Sequence, residues 1–193
     1  MKIGVLALQG GVSEHVSATL GAARKLGIQC DVVQVRTKED LGGLDALIIP
    51  GGESTVLHKL CEREGIFTEL KGVRNIFGTC AGAIMLAKTI RHAEAGQKTL
   101  GVMDIEMGRN AYGRQAESFE ETLNTRLGQV HAVFIRAPRI LGTGSGVAVL
   151  AERNGEAVAC EQERDGCFLL ATCFHPELAT TAFHEYFLRR LLR

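Results

Sequence analysis

Cys80 stands in the pentapeptide GTCAG (78–82), between an apolar run and a segment with helical spacing. A strand that turns sharply into a helix presents its turn residue at the carboxyl edge of a sheet, where open α/β folds keep their sites. Glycines at 78 and 82 would let strand and helix approach closely and leave the central side chain exposed. A helix N-terminus favours thiolate over thiol, and the next backbone N–H, that of Ala81, can point at a developing oxyanion. The pattern is that of a nucleophile, and a nucleophile needs a base. Of His15, His58, His92, His131, His175 and His184, only His175 directly follows a strand-like run, FLLATCF (168–174). A residue before proline is pushed to extended geometry, so His175 and Glu177 in His175-Pro176-Glu177 can lie on one side of the chain. Glu177 would then orient the imidazole, His175 take the proton and Cys80 attack, which is acyl-transfer chemistry. Zinc deaminases also use His-x-Glu, but their Pro-Cys-x-x-Cys partner is absent, so no metal is expected.

A third stretch, PGGEST (50–55), places two glycines after an apolar run. Their backbone can approach a ligand closely, and Gly52 could supply a second oxyanion donor. Two other uses stay open: an ordinary turn capped by Ser54 at a helix start, and a phosphate cradle. The cradle lacks both Gly-x-Gly-x-x-Gly and a Walker lysine.

The elements that must position these residues alternate. KIGVLAL (2–8), CDVVQV (30–35), DALIIP (45–50) and VRNIFG (73–78) read as strands, and 12–27, 54–63 and the segment after Cys80 as helices. Strands without polar alternation belong to a parallel sheet covered on both faces. The second half reads as short strands in IEMGRN, AVFIRAP, GVAVLAER, EAVACEQ and CFLLATCFHP, closed by an amphipathic helix over AFHEYFLRRLLR. The expectation is an α/β fold, a mostly parallel sheet with an antiparallel extension, in one domain over 1–193.

Composition narrows the function classes. Lysine plus arginine equals aspartate plus glutamate at 22 each, and no basic block interleaves with aromatics, so no nucleic-acid partner is expected. No apolar run approaches the roughly 20 residues that span a bilayer, and MKIGVLALQGG reads as a first strand rather than a signal peptide. Six cysteines without a Cys-x-x-Cys pair argue against a disulfide framework and for a reducing cytoplasm; the five other than Cys80 read as small core residues.

GTCAG, PGGEST and the distal FHPE together resemble the triad-type (class I) glutamine amidotransferases over the whole chain. More narrowly, LQGGVSEH (8–15), PGGEST (50–55), FGTCAG (77–82), RNAYGRQ (109–115), FIRAP (134–138) and FHPEL (174–178) are similar, in order and spacing, to glutaminase subunits of pyridoxal 5′-phosphate synthases. The resemblance implies a flavodoxin-like three-layer sandwich and hydrolysis of L-glutamine to glutamate and ammonia. The ammonia would pass to a separate synthase subunit, and no cofactor would be needed. It carries the nucleophile onto Cys80, the base onto His175 and the orienting carboxylate onto Glu177, with Gly52 and Ala81 as oxyanion donors. It places the glutamine site on Gly52, Glu53, Ser54, Arg109, Ile135 and Arg136. The arginines suit the substrate carboxylate and Glu53 its ammonium group. Gln9, Gly10, Glu14 and His15 would face the synthase. Two rivals share parts of this pattern: the glutaminase subunit of another amidotransferase, such as imidazole glycerol phosphate synthase, and a stand-alone cysteine hydrolase. A binding module without a reactive thiol is the third.

Overall fold

The computed structural model describes residues 1–109 and 118–193. The first half alternates as the apolar runs require: β1 (Lys2–Leu6), α1 (Val12–Leu26), β2 (Asp31–Val35), β3 (Ala46–Ile49), α2 (Ser54–Arg63), a short α3 (Phe67–Leu70), β4 (Asn75–Thr79) and α4 (Ala81–Leu86). Strands dominate the second half: β5 (Ala87–Arg91), β6 (Met103–Gly108), β7 (Ser118–Thr125), β8 (Gly128–Ile135), β9 (Arg139–Thr143), β10 (Val147–Arg153), β11 (Glu156–Arg164) and β12 (Cys167–Thr172). A 3₁₀ turn, Pro176–Leu178, then leads to α5 (Ala182–Leu191).

Nine strands form one sheet in the order β2-β1-β3-β4-β12-β11-β10-β7-β8. The pairings from β2 to β12 are parallel and those from β12 to β8 antiparallel. The parallel half has the doubly wound, flavodoxin-like order. β12 is the middle strand of the nine, parallel to β4 on one side and antiparallel to β11 on the other. All four residues of β3 are buried, as a strand covered on both faces must be. Helix α1 packs with α5, and α2 with α4. Among the described residues no helix is long and apolar enough to cross a membrane.

Several elements depart from the sequence pattern, β9 and the short α3 among them, since neither RILGT nor FTEL stands among the expected elements. The helix after Cys80 stops at Leu86, where Ala87 turns to φ −58°, ψ 147° and the chain runs on as β5. Thr89 and Ile90, β-branched, prefer that strand. β7, SFEETLNT, has a charged outer face that carries no apolar-run signal; it pairs with β8 through the whole register Ser118 to Thr125. The smaller sheet β5-β6-β9 is tied to the large one where the Gln162 side chain accepts from the Asp104 N–H at 2.8 Å.

Candidate active site

The turn from β4 into α4 is tight because both its glycines are in backbone contact. A Cβ on Gly78 would lie 2.5 Å from the backbone of Gly82, and one on Gly82 would lie 2.0 Å from the Ile49 carbonyl oxygen of β3. Cys80 between them adopts φ 50°, ψ −105°, a strained conformation for a non-glycine residue that costs about 1–3 kcal/mol. Its N–H is tied to the Thr172 carbonyl at 2.8 Å, which fixes the turn against the end of β12. Ala81, the first residue of α4, carries one of the N–H groups that helices leave unpaired. Cys80 is only 6% exposed and lies at a cavity rather than on open surface.

His175 leaves the end of β12, its N–H bonded to the Val133 carbonyl of β8 at 2.8 Å. Its Nδ1 is 2.8 Å from Glu177 Oε1; His175 at φ −105°, ψ 83° falls short of the extended geometry expected before Pro176, and the 3₁₀ turn after it brings the pair together. Burial would lower the imidazole pKa, but interactions with Cys80 and Glu177 outweigh it and raise the value to about 10. Burial works against the Glu177 charge too, yet hydrogen bonds from His15 and His175 hold its pKa well below the carboxylate range. The same burial acts unopposed on structural thiols: it pushes Cys61 up to about 12.

Gly51 and Gly52 line up beside this group. A Cβ on Gly51 would stand 2.4 Å from His175 Cε1 and 3.1 Å from Cys80 Cβ, so a side chain there would displace the imidazole. Gly52 has φ 134°, which favours glycine, and a Cβ on it would meet the Gln9 amide at 3.0 Å. Gly10, at φ 84°, packs directly on the Gly51 carbonyl, which would lie 2.0 Å from a Cβ at that position. The loop after β1 and the loop after β3 are therefore interlocked at the mouth of the site, and Gln9 Nε2 donates to the Glu53 carbonyl at 2.8 Å.

Gly52, Glu53, Ser54, Cys80, Arg109, Ile135, Arg136 and His175 line one cavity of about 140 Å³, together with Ile84 and Pro138. The Arg109 guanidinium donates to Glu53 Oε1 at 3.0 Å through Nη2 and to Gln97 Oε1 at 2.9 Å through Nη1. Arg136 is exposed and takes φ 43°, turning the chain so that the Ile135 carbonyl comes 4.0 Å from Cys80 Sγ.

The family model described as the SNO glutamine amidotransferase family matches residues 5–193. The chain belongs to that family. It is 46% identical over 199 residues to pyridoxal 5′-phosphate synthase subunit PdxT of Korarchaeum cryptofilum, covering 100% of this chain and 99% of that protein. Against the PdxT subunit of Pyrococcus horikoshii it is 44% identical over 200 residues, with both chains covered completely. A solved crystal structure of a glutamine amidotransferase, 46% identical, superimposes with a TM-score of 0.85 over 99% of each chain. A GMP synthase component from Thermoplasma acidophilum shares the fold, at 17% identity and a TM-score of 0.62 over 100% of this chain and 92% of that one.

Within this amidotransferase the predicted residues fall into three groups. The triad and the six substrate residues converge on one place, as described. The Glu53 side chain is already engaged: it is the N-cap of α2, accepting from the Thr55 and Val56 N–H groups at 3.0 and 2.7 Å, and it pairs with Arg109. Ser54 is thus the first helical residue and not the cap, and its Oγ accepts from Gln97 Nε2 at 3.0 Å. In the third group, Gly10 and Glu14 are exposed and Gln9 is half-buried, but His15 is 0% exposed. The helical period explains it: His15 shares the inner face of α1 with Ala18, Thr19, Ala22 and Ala23, whereas Glu14, a third of a turn away, points out. His15 is therefore not available to a docked partner in this structure. Of the RNAYGRQ block, only Arg109 is among the described residues; the rest lies outside them.

Sequence reasoning missed Gln97 and His184 and misplaced His15, which it set facing a partner. Gln97 braces both Ser54 and Arg109 from the β5–β6 connection, where nothing in the local pattern marks it. His15 and His184 meet beneath Glu177, and each sits on the apolar stripe of its own helix, a period that does mark them as buried.

Proposed function

We propose that the chain is the glutaminase subunit of a pyridoxal 5′-phosphate synthase, with residues 1–193 forming one amidotransferase domain that works in the cytoplasm. The observation that carries this reading is the convergence on one cavity of a strained Cys80, a His175 held by Glu177 at 2.8 Å, and a wall of Gly52, Arg109 and Arg136. A buried cluster running from Ile3 to Leu188 supports the single domain, and full-length matches to PdxT subunits support the choice among amidotransferases.

In this reading Arg109 and Arg136 take the carboxylate of glutamine, and Glu53 its ammonium group. The Cys80 thiolate attacks the side-chain amide carbon. The N–H groups of Ala81 and Gly52 hold the resulting oxyanion, which replaces reorganising water by fixed dipoles. His175 gives its proton to the departing nitrogen, leaving a thioester on Cys80, and then takes a proton from the water that cleaves the thioester. Glutamate and ammonia leave, and the ammonia passes to the synthase subunit.

The test is glutamine turnover with and without the cognate synthase subunit, in the wild type and in Cys80→Ala. Turnover in the wild-type complex, falling on the order of a thousandfold or more in Cys80→Ala with the fold intact, is expected. Undiminished turnover in the variant overturns the triad. Turnover that ignores a bound synthase favours a stand-alone hydrolase.

A further inference from the structure

Behind Glu177 the structure holds two histidines that the mechanism does not use. His15 Nε2, from α1, lies 3.4 Å from Glu177 Oε1 and 3.1 Å from Thr79 Oγ1. His15 Nδ1 lies 3.0 Å from Nε2 of His184 on α5. Both rings are buried, at 0% and 1% exposure. Among the described residues, the other nitrogen of His184, Nδ1, has no hydrogen-bond partner, and neither has Glu177 Oε2.

One set of tautomers leaves no buried N–H unpaired. His184 Nε2–H donates to His15 Nδ1, His15 Nε2–H faces Glu177 and Thr79, and the unpartnered Nδ1 of His184 is the bare nitrogen. Any arrangement with a proton on His15 Nδ1 forces one onto His184 Nδ1, where it finds no acceptor among the described residues, and an unmet buried donor is costly. His184 is fit for this role because burial and the neighbouring His15 lower its pKa to about 3, so it stays neutral. Glu177 thus has two partners, His175 and His15, both on Oε1.

We propose that His15, set in its tautomer by His184, is a positioning residue for the triad: it presents a fixed N–H to Glu177 and so governs how firmly His175 holds its proton. This rests on the triad reading above. The titratable groups coupled to the cluster are Cys80, His175, Glu177, His15 and His184, with Cys173 acting on Cys80. Cys173 is fully buried and its thiol pushed far up by burial, so it stays neutral.

The experiment measures pH profiles of glutamine hydrolysis in the synthase complex for His15→Leu, His15→Gln, His184→Phe and Glu177→Gln. Removing a partner of this kind costs about 10- to 100-fold, and His15→Leu is expected to lose that much in kcat with little change in KM. Its alkaline limb should move up by about one pH unit, because a carboxylate freed of a second donor keeps more of its charge for the imidazolium. His15→Gln, which restores a donor near the Nε2 position, should recover most of both. A folded His15→Leu within about twofold of wild type, its limb unmoved, overturns the proposal, as does equal loss in His15→Leu and His15→Gln. Should His15→Leu fail to fold, His184→Phe decides, since it keeps the ring contact with Phe77 and frees the His15 tautomer: a raised limb supports the proposal and an unchanged or lowered one overturns it. Full activity in Glu177→Gln would instead sink the triad reading itself.

Discussion

At the scale of single residues, the chemistry of the site is a matter of which groups keep their charge under burial. His175 keeps its proton because Cys80 and Glu177 outweigh desolvation, and its pKa is raised from 6.5 to about 10. In the proposed mechanism the imidazolium is the form that gives a proton to the departing nitrogen, so activity should hold from neutral pH upward and fall along an alkaline limb near 10. A kcat/KM profile that falls near pH 7 instead would contradict the pairing. The same shift stabilises the fold fully below the unfolded pKa of about 6.5, and that contribution is lost as pH rises through about 10. The cysteines divide in the same way. Burial raises Cys61 and Cys160 to about 12 and Cys173 well above its usual value, so each is a poor nucleophile. Limited iodoacetamide followed by mass mapping should therefore label Cys80 before any of these three, and prior labelling of Cys160 would refute the assignment.

At the scale of elements, the elbow depends on two missing side chains. Gly82→Ala would place a methyl group 2.0 Å from the Ile49 carbonyl, a backbone atom that cannot swing aside. Overpacking of this severity should destabilise by about 3 kcal/mol and pull Cys80 out of register, visible as a lowered urea midpoint together with lost turnover. Gly78, Cys80 and Gly82 were legible because a single pentapeptide carries the whole turn, and α1 and α2 because their apolar period is unbroken. The strand β5 was not, since Ala87 and Lys88 continue a helical pattern and only the small β5-β6-β9 sheet draws them into an extended path. Nor was the meeting of His15 with His184. Each helix announces a buried histidine, but α1 and α5 come from opposite ends of the chain, and no local signal says which buried face meets which.

At the scale of the whole molecule, the mouth of the site is built from loops that also face outward. Gly10 is exposed on one side and pressed on the Gly51 carbonyl on the other, so a partner that moves Gly10 also moves the peptide preceding Gly52. We predict a switch in which that peptide turns the Gly52 N–H, a proposed oxyanion donor, away from the site in the free subunit and docking turns it back; one such donor is worth about 100- to 1,000-fold, so docking of the synthase is expected to raise kcat at least about tenfold. Gly52→Val should abolish the rise, because φ 134° and the Gln9 contact both exclude a β-branched side chain; equal turnover with and without a bound synthase would refute the switch. The position of β12 has a consequence for how the enzyme comes into being. β12, last in chain order of the described strands, is the one around which the other eight of its sheet are arranged, and it leads into His175, the proposed base for Cys80. His175 follows Cys80 by nearly half the chain, and at roughly 5–20 residues per second the thiol emerges several seconds before its activator. Until β12 slots between β4 and β11, the nascent protein is two half-sheets with raw edges and an unarmed cysteine. Activation of the nucleophile is thereby tied to completion of the fold, and a polypeptide interrupted before residue 167 should accumulate as aggregate with no glutaminase activity.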